Sequence, residues 1–184
     1  LDELAHRAVA AIYGAAADPL AWPAALDAIA ACFDDVGSIL VYGREDGRFG
    51  IVASRSLDAM AETYASSWSH RDIRALRARE RGYFLTRDVI TDRDVLSEDE
   101  IETDPQYAEF LAPRGLKWFA AASVSPAPDV EVALSVQRRA DKAAYSEVEL
   151  ATLAQLARHV EASLRLCIRL VDTELLAEGL ADAL

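Results

Sequence analysis

The residues best suited to chemistry lie between Tyr64 and Phe84, a segment dense in aromatic and charged side chains. Asp72, His70, Arg71 and Arg74 have the polarity to fix the head of a small molecule. Trp68, Tyr83, Phe84, Tyr107, Phe110 and Trp118 have the shape to wall a pocket around it. Catalysis has no comparable footing. There is no nucleophile elbow, phosphate-binding loop, dinucleotide fingerprint or Cys-x-x-Cys pair. His6, His70 and His159 are widely spaced, and the expectation is a non-enzyme with no metal and no cofactor. Plainer readings stand beside this one. The aromatics serve equally as core, and His70 and Asp72 serve as helix caps. Arg71, Arg74, Arg77, Arg79 and Arg81 read as one solvated basic face, or as partners of the acidic stretch Asp92 to Asp104.

The pocket needs a floor. Ala120-Ala121-Ala122-Ser123 puts four small residues in a row within an expected strand, Leu116 to Ser125. Small side chains inside a sheet let a helix pack closely or leave room for a ligand. A further strand, Val130 to Arg138, alternates Val130, Val132, Leu134 and Val136 on one face with Glu131, Ala133, Ser135 and Gln137 on the other. Two earlier strands, Val36 to Tyr42 and Phe49 to Arg55, flank an Asp46-Gly47 turn signal and read as a hairpin. Ser38, Leu40 and Tyr42 are expected on the polar, small-residue face. The ligand-binding candidates are therefore Tyr42, Tyr64, Trp68, Asp72, Tyr83, Tyr107, Trp118, Ser123 and Ser135.

Helices complete the order. Leu1 to about Ala16 carries apolar residues at helical spacing, and a second helix, to about Phe33, follows a turn from Asp18 through Trp22-Pro23. A third helix starts at Ser56 and runs to about Ser67, with more helix to Arg81. Gly82 to Thr86 reads as a short strand and Asp88 to Asp99 as surface turns. Asp104-Pro105 opens a helix ending near Leu111. The longest helix is expected from Tyr145 to about Leu176, capped by Ser146 with Glu147 and Glu149 in its first turn. At 1.5 Å per residue it spans about 45 Å, longer than a domain of this size is wide. Its far end needs a partner, and a second copy of the chain is the simplest. The dimer-interface candidates are Val9, Ile12, Val160, Leu164, Ile168, Val171 and Leu175.

The fold class expected from this order is α+β: a central antiparallel sheet with the N- and C-terminal helices packed on one face and loops and short helices on the other. Residues 1–166 are expected to form one domain and 167–184 an exit helix that leaves it. The 184 residues carry a net charge of −12, which disfavours direct nucleic-acid contact, since that rests on Lys and Arg meeting phosphates. No apolar run is long enough to span a bilayer, and the expected setting is the cytoplasm of a bacterium. Cys32 and Cys167 read as buried free thiols. The chain lacks an initiator Met and a signal peptide and reads as a piece of something longer.

The opening Ile12-Tyr13-Gly14-Ala15-Ala16-Ala17-Asp18-Pro19-Leu20-Ala21-Trp22-Pro23 and the later Leu153-Ala154-Gln155-Leu156-Ala157-Arg158-His159-Val160 resemble bacterial LuxR-type helix-turn-helix regulators. The element order resembles their GAF/PAS-like sensor region. The resemblance implies a ligand-sensing, dimerising domain that binds a small, largely apolar molecule and signals through its last helix. Regulators of this type that bind acyl-homoserine lactones do so with a Trp, a Tyr and an Asp. Trp68, Tyr64 and Asp72 carry that chemistry at a different spacing. Haem ligation by His70 is the remote cofactor alternative in this fold class. The chain departs from the family in having no helix-turn-helix. The alternative is a dimerisation or protein-interaction module whose own side chains fill the cavity.

Overall fold

The computed structural model describes residues 2–44, 49–128 and 130–182. The Asp46-Gly47 turn lies outside the described residues.

Two helices lead, α1 (Asp2–Ala17) and α2 (Trp22–Ala31). The hairpin strands β1 (Gly37–Arg44) and β2 (Phe49–Ala53) follow. A helical excursion comes next: α3 (Asp58–Thr63), a π-helical turn Tyr64–Trp68, α4 (Ile73–Glu80) and α5 (Tyr83–Thr86). After it come β3 (Val89–Thr91), α6 (Asp92–Val95), α7 (Glu98–Thr103) and a second π-helical turn, Gln106–Leu111. The chain closes with β4 (Leu116–Ala127), β5 (Val130–Arg139) and α8 (Glu147–Asp182). The sheet is antiparallel throughout, in the order β2-β1-β5-β4-β3. Its centre is the long-range β1–β5 pairing, which sets Leu40 opposite Leu134.

Side-chain alternation divides the sheet into two faces. Leu134 and Val136, both fully buried, face α1, α2 and α8, where they meet Ile12, Leu26, Leu153 and Val160. Ala121 and Phe119 face the other layer with Ile39, Met60 and Tyr64. The alternation expected for the last strand is the one observed. The expectation for β1 is reversed in part. Leu40 belongs to the helix-packed core, and Ser38 Oγ donates to the α2 carbonyl of Leu26 at 2.8 Å. Register decides this: Leu40 sits beside Leu134, so it shares that residue's face.

Other differences cluster in the middle of the chain. Gly82 to Thr86 is not a strand: Gly82 takes a left-handed φ of 64° and Tyr83 begins a helical turn. The edge strand is Val89–Thr91, inside the stretch read as surface turns. Its β-branched residues pair with Ala120 to Ala122, and Ile90 is buried. The expected helix Ser56 to Ser67 is broken into a 3-10 turn, α3 and the π-helical turn.

The N-terminus of α8 is fixed twice. Ser146 and Glu149 close a reciprocal cap: Ser146 N and Oγ donate to Glu149 Oε2 at 2.8 and 2.7 Å. The buried Arg138 at the end of β5 donates to Glu149, to Asp35 after α2 at 2.8 Å, and to the Ala143 carbonyl at 3.1 Å. Its guanidinium lies 3.8 Å from the Tyr145 ring centre, and Tyr145 in turn donates to Asp35 at 2.6 Å. α8 then runs unbroken across residues 166 and 167 and through Gly179, about 54 Å in all. Both cysteines are free. Cys32 is buried and Cys167 only half-buried, because α8 has by then left the helix layer's core.

Gly37 marks the tightest backbone approach. A Cβ there would lie 2.3 Å from Ser54 Oγ and 2.6 Å from Leu57 Cγ. Neither can retreat: both are buried, and Ser54 Oγ accepts from the Ser38 N–H at 3.1 Å. Gly37→Ala should cost about 1–3 kcal/mol by overpacking. That corresponds to a melting temperature lowered by about 3–10 °C in calorimetry.

Candidate functional site

The face of the sheet away from α1, α2 and α8 does not fill. A cavity of about 430 Å³ lies between it and α4. The register explains why. One row across the sheet reads Ala53, Ile39, Ser135, Ala121, Ile90, and the next reads Ile51, Val41, Ala133, Ser123. Four small residues, Ser135, Ala121, Ala133 and Ser123, thus meet at the sheet centre. Above them α4 presents Ala75 and Ala78. Small residues on both sides of a close-packed interior leave space that backbone stiffness prevents from collapsing.

The roof carries a buried charge pair. Asp72 caps α4 by accepting from the Arg74 N–H at 2.9 Å. The same Oδ1 accepts from Arg74 Nε at 3.1 Å, and Oδ2 accepts from Arg74 Nη2 at 3.0 Å. Tyr64 Oη also donates to Oδ2 at 3.0 Å. Asp72 and Arg74 are 3% and 7% exposed, so the pair is out of water. Burial would raise the Asp72 carboxyl, but Arg74 outweighs it and holds Asp72 below the ordinary carboxylate range. Burial also weakens the Arg74 charge, yet Asp72 drives its pKa upward. Removing either partner of such a pair typically costs about 3–5 kcal/mol, because the other charge is left buried alone. Arg74 Nη1 has no hydrogen-bond partner among the described residues, and the guanidinium lies 4.8 Å from the Phe119 ring centre.

A second buried carboxylate backs this layer. Asp92 is 1% exposed, accepts from the Phe119 N–H at 2.8 Å and accepts from Tyr107 Oη. Burial pushes its carboxyl up to about 6, and nearby Arg74 only partly offsets that. Gln106, 1% exposed, has neither amide atom hydrogen-bonded among the described residues.

Of the sequence candidates, the structure brings Tyr42, Tyr64, Asp72, Ser123 and Ser135 to the cavity. Tyr42 borders it while its ring lies over Gly50, where a Cβ would come within 2.2 Å of Tyr42 Oη. The other four candidates are elsewhere. Trp68 packs on Phe110 at 5.1 Å between ring centres, and the Arg71 guanidinium lies 3.8 Å from the Trp68 ring centre. Tyr107 is spent on Asp92. Tyr83 is half-buried beside Arg87. Trp118 donates to the Lys142 carbonyl at 3.0 Å and borders a separate depression beside the start of α8. These aromatics take the core or surface role that was their plainer reading. The Phe84 side chain lies outside the described residues.

The basic segment is not one solvated face. Arg74 is buried, Arg77 pairs with Glu100 at 2.5 Å, and Arg81 donates to the Asp94 carbonyl at 2.6 Å. Arg79 and His70 line the cavity. Phe49, Leu76, Glu131 and Gln137 line it too and were not singled out. Gln137 had a signal, since it alternates in step with Ser135. Phe49 and Leu76 had none, because only the tertiary packing puts them at its rim. Among the described residues no group of three His, Cys, Asp or Glu is placed to hold a metal ion. No helix there is long and apolar enough to cross a membrane.

Of the dimer candidates, Ile12 and Val160 are fully buried within the chain. They are withdrawn as interface residues, since they hold α1 and α8 to the sheet. Val9 and Leu164 pack at the edge of that core. Ile168 and Val171 are exposed, and the Leu175 side chain lies outside the described residues.

The fold and the cavity define a class: an α+β, GAF-like domain, with a five-stranded antiparallel sheet, helices on one face and an internal chamber on the other. No family model matches the chain, and no curated protein sequence matches it. Solved structures do share its fold. The VqsR LBD domain from Pseudomonas aeruginosa superposes with a TM-score of 0.63 at 13% identity, over 89% of this chain and 96% of that one. The GAF3 domain of Slr1393 from Synechocystis sp. PCC6803 gives 0.55 at 15%, over 93% and 98%. SdiA in complex with octanoyl-rac-glycerol gives 0.57 at 17%. That match covers 80% of this chain and 58% of SdiA.

The Asp92 shift has a measurable consequence. Its carboxyl sits near 6 in the folded protein against 3.8 as the ordinary value, so the native state binds the proton more tightly than the unfolded state. Asp92 therefore costs stability when ionised, and that cost is relieved as pH falls through about 6 toward 4. Each pH unit in the window is worth up to about 1.4 kcal/mol. Urea unfolding of Asp92→Asn at pH 4.5 and 7 should show this contribution to the pH dependence lost.

Proposed function

We propose that this chain is the ligand-sensing domain of a bacterial LuxR-type transcriptional regulator. It binds a small, largely apolar molecule in the chamber under α4 and passes the occupancy to a DNA-binding module through α8. The chamber is the observation that carries this reading. It is too large to be packing error, mostly apolar in lining, and supplied with a buried polar group at one end. The shared fold with the VqsR LBD domain and SdiA supports it. The net charge of −12 leaves DNA contact to residues other than these. The setting is the bacterial cytoplasm, where such a regulator meets its operator.

Occupancy reaches α8 through β5. Ser135 and Gln137 line the chamber, and the next residue, Arg138, grips Glu149 in the first turn of α8. Signalling requires that the ligand bind two arrangements of this joint with different affinity. Native mass spectrometry of the purified protein, repeated after denaturation, should release a co-purified small molecule. Ala133→Leu should fill the floor, abolish that mass and leave the circular dichroism spectrum unchanged. A chamber that is empty in both proteins and takes up no small apolar probe would favour the protein-interaction module instead.

We propose further that α8 pairs with a second copy. Leu166, Ile168, Leu170 and Val171 are each at least 36% exposed where α8 leaves the core, and a second copy would cover them. Val171→Glu should shift sedimentation velocity from dimer toward monomer with the melting profile preserved. A wild-type monomer at micromolar concentration would refute the pairing.

A further inference from the structure

Resting on the ligand-sensing reading, we propose that a clasp on the main chain of Ser125, formed by Glu161 and Arg165 of α8, sets the direction in which α8 leaves the domain and carries the state of the chamber to it.

The clasp answers a free edge of the sheet. Peptide groups along an antiparallel strand point alternately to its two neighbours. The Phe119 N–H points to Asp92, on the β3 side. The peptide groups of Ala121, Ser123 and Ser125 therefore point that way too. β3 stops opposite Ala122, and no strand covers Ser125 on that side among the described residues. α8 takes the strand's place. The Ser125 N–H donates to Glu161 Oε2 at 3.2 Å, and Arg165 Nη2 donates to the Ser125 carbonyl at 3.2 Å. Glu161 and Arg165, one turn apart, pair with each other at 2.5 Å. The donor and the acceptor of one residue are thus met by an acid and a base in a fixed order.

A bulge joins the clasp to the chamber. Val124 pairs with Val132 and Ala127 with Val130, so Ser125 and Pro126 together stand opposite Glu131. Glu131 lines the chamber, as do Ser123 and its partner Ala133. Pro126 has no N–H to give, which suits a bulge and not a regular ladder. Bulges bend a strand and re-aim its groups. A displacement at the Ser123–Ala133 pair therefore reaches the Ser125 peptide, which α8 holds.

Position along α8 makes the clasp the contact that yields. Leu153, Leu156 and Val160 bury the middle of the helix, and the buried Arg138 holds Glu149 at its root. Glu161 lies about 18 Å beyond Glu149 at 1.5 Å per residue. There Ser163, fully buried, donates to the Ile12 carbonyl of α1 at 2.6 Å, while the clasp holds the other flank. Leu166 and Ile168, just past it, are exposed. An ion pair at the surface holds weakly and a buried one firmly. The Arg165 side chain is half exposed, so the exit turn is the part of α8 that a small movement of β4 can re-aim.

The test is amide hydrogen exchange, read by NMR, in a cycle of Glu161→Gln and Ala133→Leu. Glu161→Gln should speed exchange of the Ser125 amide about tenfold and of residues 164–170 about threefold, with residues 150–160 unchanged. Ala133→Leu, which fills the chamber, should speed the same amides about threefold, and that effect should vanish once Glu161→Gln has opened the clasp. Reversing the pair, Glu161→Arg with Arg165→Glu, keeps an ion pair within α8 but sets each charge against the wrong group of Ser125. It should behave as Glu161→Gln does, which a role confined to the helix would not produce. Additive effects in the cycle, or a reversed pair that exchanges like wild type, would overturn the inference. If Ala133→Leu does not fold, Ser123→Val fills the same row from β4 and takes its place in the cycle. Loss of the co-purified mass in Ala133→Leu with unchanged Ser125 exchange would leave the sensor reading intact and remove the clasp's role. Coupling in a protein that takes up no small molecule would do the opposite.

Discussion

Keeping the Asp72–Arg74 pair out of water is the constraint on which the site depends. Two charges buried between a helix and a sheet are tolerable only when each neutralises the other and most of their donors and acceptors are answered. That requirement fixes Tyr64 over Asp72, caps the start of α4 with the same carboxylate, and sets the guanidinium against Phe119. The roof of the chamber is thereby held at a defined height above the floor. An apolar pair of similar size would pack, but it would neither orient α4 nor offer a polar end to a ligand.

The two faces of the sheet solve different problems with one alternating pattern. On one face, large aliphatic side chains from β1, β4 and β5 meet α1, α2 and α8 and close completely. On the other, the central positions of β4 and β5 are Ala and Ser, and the covering layer is built from short helices and π-helical turns. The closed face supplies stability, since each large side chain buried there is worth about 1.5–3 kcal/mol. The open face supplies space. Because β5 serves both, a change in how the chamber is filled bears on a strand whose other side and far end hold α8.

Arg138 is where these two roles meet. It follows Gln137 of the chamber and binds the end of α2, the loop before α8 and the first turn of α8. α8 is thus tied to the sheet both by the packing of Leu153, Leu156 and Val160 and, at its root, by one buried guanidinium and one reciprocal cap.

The sequence by itself determined the elements whose local pattern agrees with their surroundings. The alternation of Val132, Leu134 and Val136, the Ser146 cap and the apolar stripe of α8 each read correctly, as did the two hairpins and the run of small residues in β4. Fold class follows from these because periodicity and turn chemistry are local properties. Tertiary structure decided what depends on residues far apart. Leu40 changes face because β1 pairs with β5 in a particular register, which no local pattern specifies. Val89 to Thr91 become a strand only because β4 offers an open edge. Tyr42, Tyr64, Asp72, Ser123 and Ser135 meet at one cavity, whereas Trp68, Tyr83, Tyr107 and Trp118, equally suitable by type, are directed to core or surface. Arg74 looked like one member of a solvated basic row and is instead buried, because its charge is cancelled by the carboxylate that begins its own helix. Side-chain type set what each residue could do, and the packing of distant strands and helices chose which of them line the chamber.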